Sequence, residues 1–275
     1  MELKTVLALT DCQETSVAGL KSAFAIAAKH GADLVVGHVL VPRTLDPADV
    51  REFLTANGLD PDTAKIDIEV DADIVSGVEL LEQQSAPDLI VLSSKRHRGF
   101  MRLLYAGLPA GLVGETTAPV LALHAGKEQS EFRRALVCVD GSDQSQGIID
   151  CAAGMLADGG EVIALFVIED SPIVIAGVDI GRHSDDVLAR AATEAEKFLA
   201  RLHVARTDLS MKTEQRTGDA VDVIRAARAD HNADLVVVGA HGVGGRSRFV
   251  LGGVAEAVVR EIDVPVLTVP TKDAS

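Results

Sequence analysis

Residues 234–255 read Asp-Leu-Val-Val-Val-Gly-Ala-His-Gly-Val-Gly-Gly-Arg-Ser-Arg-Phe-Val-Leu-Gly-Gly-Val-Ala. The short β-branched run predicts a buried strand over Leu235–Val238, and the pattern after the glycines predicts a helix over Gly253–Ile262. Between them, six of the fifteen residues from Gly239 to Gly253 are glycine. Such a loop lets backbone amides approach a ligand closely, and the helix start adds unpaired N–H groups and a positive dipole end. The combination suits phosphate.

The same shape occurs earlier in the chain. Asp88-Leu89-Ile90-Val91-Leu92-Ser93 lies 146 positions (234 − 88) before Asp234-Leu235-Val236-Val237-Val238-Gly239, and residues 88–121 align on 234–267 without a gap. Eleven of the thirty-four positions are identical, among them Gly99/Gly245, Arg102/Arg248, Gly107/Gly253 and the closing Pro-Val-Leu. Nearer the start of each copy, Asp11 matches Asp140 at an offset of 129 (140 − 11), so the second copy has gained about 17 residues. An internal repeat of this length means two similar modules, read here as 1–127 and 132–275, joined by the polar stretch Gly126 to Arg133.

Within each copy, apolar runs alternate with Ala-rich helical stretches, which predicts an α/β fold with a mostly parallel sheet covered on both faces. In the second copy strands are expected near Ala135–Val139, Val162–Ile168, Met211–Gln215, Leu235–Val238 and Val266–Val269. Helices are expected near Ser145–Ala157, Asp185–Leu202, Val221–Asp230 and Gly253–Ile262. The first copy has a shorter second helix, near Asp46–Asn57. The extra residues of the second copy fall at Ser171 to His183, an excursion apolar enough to cover a ligand or dock a partner, or simply to pack as a loop.

Composition narrows the function. A formal net charge of -15 repels a phosphate backbone, and a single Tyr with no Trp offers few stacking platforms, so nucleic-acid binding is disfavoured. Three scattered cysteines (Cys12, Cys138, Cys151) point to a reducing compartment. The first residues lack a signal-peptide pattern and no apolar run approaches a membrane span, so a cytoplasmic protein without membrane attachment is expected. The histidines show no ligand spacing for a metal, and no Ser, Cys or carboxylate pair is placed for catalysis in motif terms. Asp88 and Asp234 are read as structural strand openers.

Known phosphate motifs are absent: there is no G-x-x-x-x-G-K-[ST], and Ser247 stands where a dinucleotide fingerprint would have its third glycine. The spacing is Gly239, two residues, Gly242, nine residues, Gly252, then a small residue. Together with Val139-Asp140-Gly141-Ser142, Leu165-Phe166-Val167 and Thr217-Gly218-Asp219, this resembles the universal stress protein family, in two tandem copies covering nearly the whole chain. The resemblance implies two five-stranded parallel-sheet, Rossmann-like domains paired through their last strands as an internal pseudo-dimer. It also implies ATP, with or without Mg2+, as cofactor in one branch of the family.

Carried over residue by residue, the resemblance places Val139, Asp140, Gly141 and the backbone at Val167 along the adenine and ribose, with Gly239 near the ribose. Gly242, Gly252, Gly253 and Val254 would cradle the phosphates, and His241 is a further candidate contact. The family pattern has Ser or Thr where Gly253 stands, so binding weaker by about 0.5–1.5 kcal/mol is expected from the missing hydroxyl. The first copy departs further, with Ser93 for Gly239, Arg96 for Gly242, Ala106 for Gly252 and Thr10-Asp11-Cys12 for Asp-Gly-Ser. It reads as a degenerate module whose basic loop, Lys95-Arg96-His97-Arg98 with Arg102, holds an anion or is merely solvated.

Three functions follow: a nucleotide-responsive stress or signalling protein, a nucleotide-independent interaction scaffold, and a slow ATP-hydrolysing or self-phosphorylating enzyme, the last with no catalytic residue to name. An unidentified protein partner and a homodimer of the whole chain are open to each.

Overall fold

The computed structural model describes residues 2–40, 46–70, 74–94, 116–124, 126–170, 174–175, 178–179, 184–240 and 252–271. The first half runs β1 (Thr5–Leu9), α1 (Val17–His30), β2 (Asp33–Leu40), α2 (Pro47–Ala56), β3 (Lys65–Val70), α3 (Ile74–Ser85), β4 (Leu89–Ser94) and β5 (Val120–His124). The second runs β6 (Phe132–Val139), α4 (Ser145–Met155), β7 (Leu156–Glu169), a small hairpin of β8 (Val174–Ile175) and β9 (Val178–Asp179), then α5 (Asp185–Leu199). It continues through β10 (Ser210–Gly218), α6 (Ala220–Asp230), β11 (Leu235–Gly239), α7 (Gly253–Glu261) and β12 (Val266–Val269).

Among the described residues these strands form one ten-stranded sheet, ordered β10-β7-β6-β11-β12-β5-β4-β1-β2-β3. Each half has the doubly wound order 3-2-1-4-5 in its own strands, and all pairings are parallel except β5 with β12. That antiparallel seam matches Val266 with Ala122, Leu267 with Leu121 and Thr268 with Val120. The two modules therefore share a sheet through their last strands, as an internal pseudo-dimer.

Both faces of the central strands are buried, which is why they read as unbroken apolar runs, whereas the edge strands β3 and β10 are charged and partly exposed. Along β1, Val6 and Ala8 face one way and Leu7 and Leu9 the other. On the first face a single apolar cluster crosses the seam, from Val36 through Leu121 and Leu267 to Val162, under α1 and α4. The opposite face carries two separate clusters, one beneath α3 in the first half and one beneath α6 and α7 in the second.

Local chemistry starts and stops the helices. Asp46 caps α2 by accepting from the amides of Ala48 and Asp49, with Pro47 in the first turn. Asp219 caps α6 in the same way through the amides of Val221 and Asp222. Gly31, at φ +64°, closes α1 by donating to Ala27 and Ala28 carbonyls. Asp88 Oδ2 accepts the amides of Lys4 and Thr5, and Asp234 accepts those of Arg133 and Arg134, so both strand openers are structural clamps.

Several boundaries differ from expectation. The polar linker is shorter than Gly126 to Arg133, because β6 opens at Phe132, whose fully buried ring joins the shared cluster. α4 stops at Met155, two residues early, since Leu156 turns extended to pair with Phe132. α5 ends at Leu199 rather than Leu202. β10 extends over Ser210–Gly218, well beyond Met211–Gln215; its Lys-Thr-Glu-Gln-Arg stretch hides a strand on an edge, where one side of the ladder faces solvent. The basic loop Lys95–Arg102 and most of the Ser171–His183 excursion lie outside the described residues.

Candidate functional site

At the carboxyl ends of β6, β7 and β11, where strand order reverses, a cavity of about 400 Å3 opens beside the start of α7. Val139 and Asp140 come from the end of β6, Val167 from β7, Gly239 from β11, and Gly252, Gly253 and Val254 from the start of α7. Seven residues singled out from the sequence thus meet at one site. Gly141 lies next door, lining an adjoining groove with Phe166. His241 and Gly242 lie outside the described residues.

Asp140 has a local task as well. Its Oδ1 accepts the amide of Ser142 at 3.0 Å and the hydroxyl of Ser145 at 3.3 Å, and Ser145 is fully buried at the start of α4. Asp11 makes the same turn in the first half, accepting the amide of Gln13 at 3.0 Å. Gly141 follows at φ +87°, and its counterpart Cys12 keeps the left-handed turn at φ +53°.

The end of the cavity at the start of α7 is built from backbone. The amide of Ala240 donates to Val269 O and that of Gly252 donates to Ala240 O, each at 2.8 Å, so the two ends of the glycine loop are stapled together. The Gly252 N–H is thereby taken up internally. Beyond it, among the described residues, α7 begins without a side-chain cap, and a Cβ placed on Gly253 would meet nothing within 4 Å. Among the described residues nothing covers the exposed first turn of α7 at Gly253 and Val254, and its first amides have no partner within the helix.

The other walls are apolar. Phe166 and Ile224 line the cavity with Val167 and the exposed Val254. Cys138 is there too, its thiol pushed up to about 12 by burial, so at neutral pH it is an uncharged wall group. Among the described lining residues the only charged groups are the carboxylates of Asp140 and Glu169. Sequence reasoning did not assign Phe166, Glu169, Ile148 or Ile224 to the site. Phe166 and Glu169 flank Val167 on β7 and were within reach of the motif; Ile148 and Ile224 carry no signal beyond helical periodicity.

At the corresponding place in the first half, the described residues are packed and hydrogen-bonded differently. Ser93, at the position of Gly239, donates to Thr15 O at 2.6 Å and accepts the amide of Gly19 at 3.0 Å. A Cβ on Gly19 would lie 2.7 Å from Ser93 N, so α1 sits directly on β4. Its counterpart in the second half is Ile148, facing Gly239: the glycine has changed from helix to strand. By strand register, His38 stands where Phe166 lines the cavity, and its Nδ1 donates to Thr10 O at 2.7 Å. Hydrogen-bonded polar groups thus replace open apolar walls.

Two doubly wound modules joined edge to edge, the second with an open cavity against a glycine-rich helix start, define a tandem α/β protein of the doubly wound type. The chain belongs to the universal stress protein family, whose model matches residues 2–124 and 131–270. It is 28% identical over 140 residues to a universal stress protein of Methanocaldococcus jannaschii, covering 50% of this chain and 82% of that one. It is 24% identical over 196 residues to a universal stress protein of Mycobacterium tuberculosis, covering 68% of this chain and 63% of that longer relative. The fold is shared with a universal stress protein from Archaeoglobus fulgidus (TM-score 0.62, 20% identity, 98% of this chain and 97% of that chain). A functionally unknown protein from Pseudomonas aeruginosa is similar over 98% of this chain and 94% of its own, with a TM-score of 0.65 and 16% identity. Among the described residues no helix is long and apolar enough to cross a membrane.

Proposed function

We propose that the second module, residues 132–275, binds an adenine nucleotide, ATP in the first instance, and that the chain is a nucleotide-responsive stress or signalling protein of the cytoplasm. The observation that carries this reading is the uncapped start of α7 at Gly253, open to solvent on the rim of a cavity whose far wall is apolar. A volume of about 400 Å3 is in the range of small-molecule and cofactor sites. The base and ribose lie along Val139, Asp140, Gly141 and Val167, with Gly239 at the ribose. The phosphates lie at Gly252, Gly253 and Val254 with His241 and Gly242. Asp140 and Glu169 are the carboxylates beside which a Mg2+-bound nucleotide would sit. Residues 1–127 form a degenerate module that supports the second through the common sheet.

The test is isothermal titration of ATP into protein stripped of nucleotide by unfolding and refolding. One nucleotide per chain, lost in Gly239→Val, is expected; no saturable heat up to millimolar ATP overturns the reading. A second reading, a scaffold that binds no nucleotide, draws on two observations: the Gly252 amide is already bonded, and no Lys or Arg is among the described lining residues. It predicts the same melting temperature with and without ATP.

A further inference from the structure

Beside the nucleotide cavity lies a second one of about 500 Å3, between the end of β7 and the flank of α5. It exists because α5 is the element the second copy lengthened, with fifteen residues where α2 has ten. Ala195 and Leu199 hold α5 down on the sheet, while Val187, Ala191 and Phe198 line the groove between them. Phe198 meets Phe166 edge-on at 6.1 Å between ring centres, so the floor is aromatic as well as aliphatic. Val187 is 49% exposed at the rim, an unusual placement for a large apolar side chain in this protein.

One cation closes this groove. Arg201, just beyond α5, has its guanidinium 5.5 Å from the centre of the Phe198 ring and makes no ion pair with any described residue. The nearby carboxylate of Glu194 is paired with Lys197 Nζ at 2.8 Å, and Glu169 lines the end shared with the nucleotide cavity. In a chain of formal net charge -15, an unmatched arginine over an apolar trough is a local exception that favours a ligand with one negative charge. An apolar body covers the aromatic floor, and a carboxylate meets the guanidinium.

We infer that this groove is a binding site for a small apolar carboxylate, an aliphatic or aromatic monoacid, its volume of about 500 Å3 lying in the range of small-molecule pockets. The groove adjoins the nucleotide cavity and shares Phe166, Val167 and Glu169 with it; what is its own is the α5 wall of Val187, Ala191 and Phe198 with Arg201.

The experiment is isothermal titration with sodium octanoate and, in parallel, 1-octanol. One octanoate per chain is expected, bound about five- to tenfold more tightly than 1-octanol because the hydrogen-bonded charge is only partly screened. Arg201→Gln should erase that preference. Ala191→Trp fills the trough and Val187→Asp places a charge on its exposed rim, so each should weaken both ligands. The second substitution is on the surface and keeps the test valid if the first impairs folding. Absence of saturable octanoate binding overturns the proposal, as does binding that Val187→Asp leaves unchanged. Complete displacement of octanoate by ATP would assign it to the nucleotide cavity and overturn it too. Octanoate binding with no ATP binding leaves this proposal standing while the nucleotide reading falls.

Discussion

Leu121 and Leu267 lie directly opposite one another across the antiparallel seam, and they are each other's counterpart in the repeat, 146 positions (267 − 121) apart. The pseudo-twofold axis relating the modules therefore passes through this pair. Both side chains are fully buried in the cluster that spans the two halves. Each truncation, Leu121→Ala or Leu267→Ala, should destabilise by about 2–5 kcal/mol in urea denaturation. Because the residues are cross-strand neighbours, the double variant should depart from the sum of the singles by about 0.5–3 kcal/mol, whereas remote pairs add.

Gly253→Ser should strengthen ATP binding. The added Cβ meets nothing within 4 Å among the described residues, so the substitution introduces a hydroxyl at the start of α7 without a clash there. Titration should show affinity rising by about twofold to tenfold, one ordinary hydrogen bond, with the unfolding midpoint nearly unchanged. Unaltered affinity would place the phosphates elsewhere.

Gly141→Ala should destabilise by about 1–2 kcal/mol, since the residue holds φ +87° and a Cβ would lie 3.4 Å from Phe166 Cε2. Its contact with Phe166 links it to both cavities, so ATP affinity should fall along with the unfolding midpoint. Thermal unfolding with and without ATP separates the two effects.

Glu82 makes stability depend on pH in a definite direction. Its Oε1, on α3, accepts the amides of Thr117 and Ala118 and the Thr117 hydroxyl ahead of β5, yet burial outweighs these bonds and raises its pKa above the ordinary glutamate range. A raised folded pKa means its stabilising contribution is complete below the unfolded pKa and lost as pH rises through the folded one. Urea denaturation should therefore show the stability of the native chain, relative to Glu82→Gln, falling from acid toward neutral pH. A difference independent of pH would contradict the assignment.

The repeat, the alternation of strands and helices and the convergence on one glycine loop were legible because each rests on short-range pattern. Leu235–Val238 is a strand whichever protein holds it, and a Gly-rich loop before a helix has few uses. β10 was half-missed because an edge strand carries Lys212, Glu214 and Arg216 and advertises no apolar run. Phe132 was assigned to a linker because its burial depends on partners it meets only through the shared core. Ile148 was invisible as a cavity residue, since its meaning comes from facing Gly239.

The sequence by itself determined that there are two α/β modules with a mostly parallel sheet, and where the helices of the second one start to within a residue or so, because periodicity and caps are local properties of the chain. Only the tertiary structure decided that the modules join through Leu121 and Leu267, that Ser93 packs and bonds against Gly19 in the first half while Gly239 and Ile148 line a cavity in the second, and that the Gly252 amide is bonded to Ala240 O. Those outcomes depend on which groups from distant segments satisfy one another's hydrogen bonds and fill one another's space, and that pairing is set by packing of the whole chain.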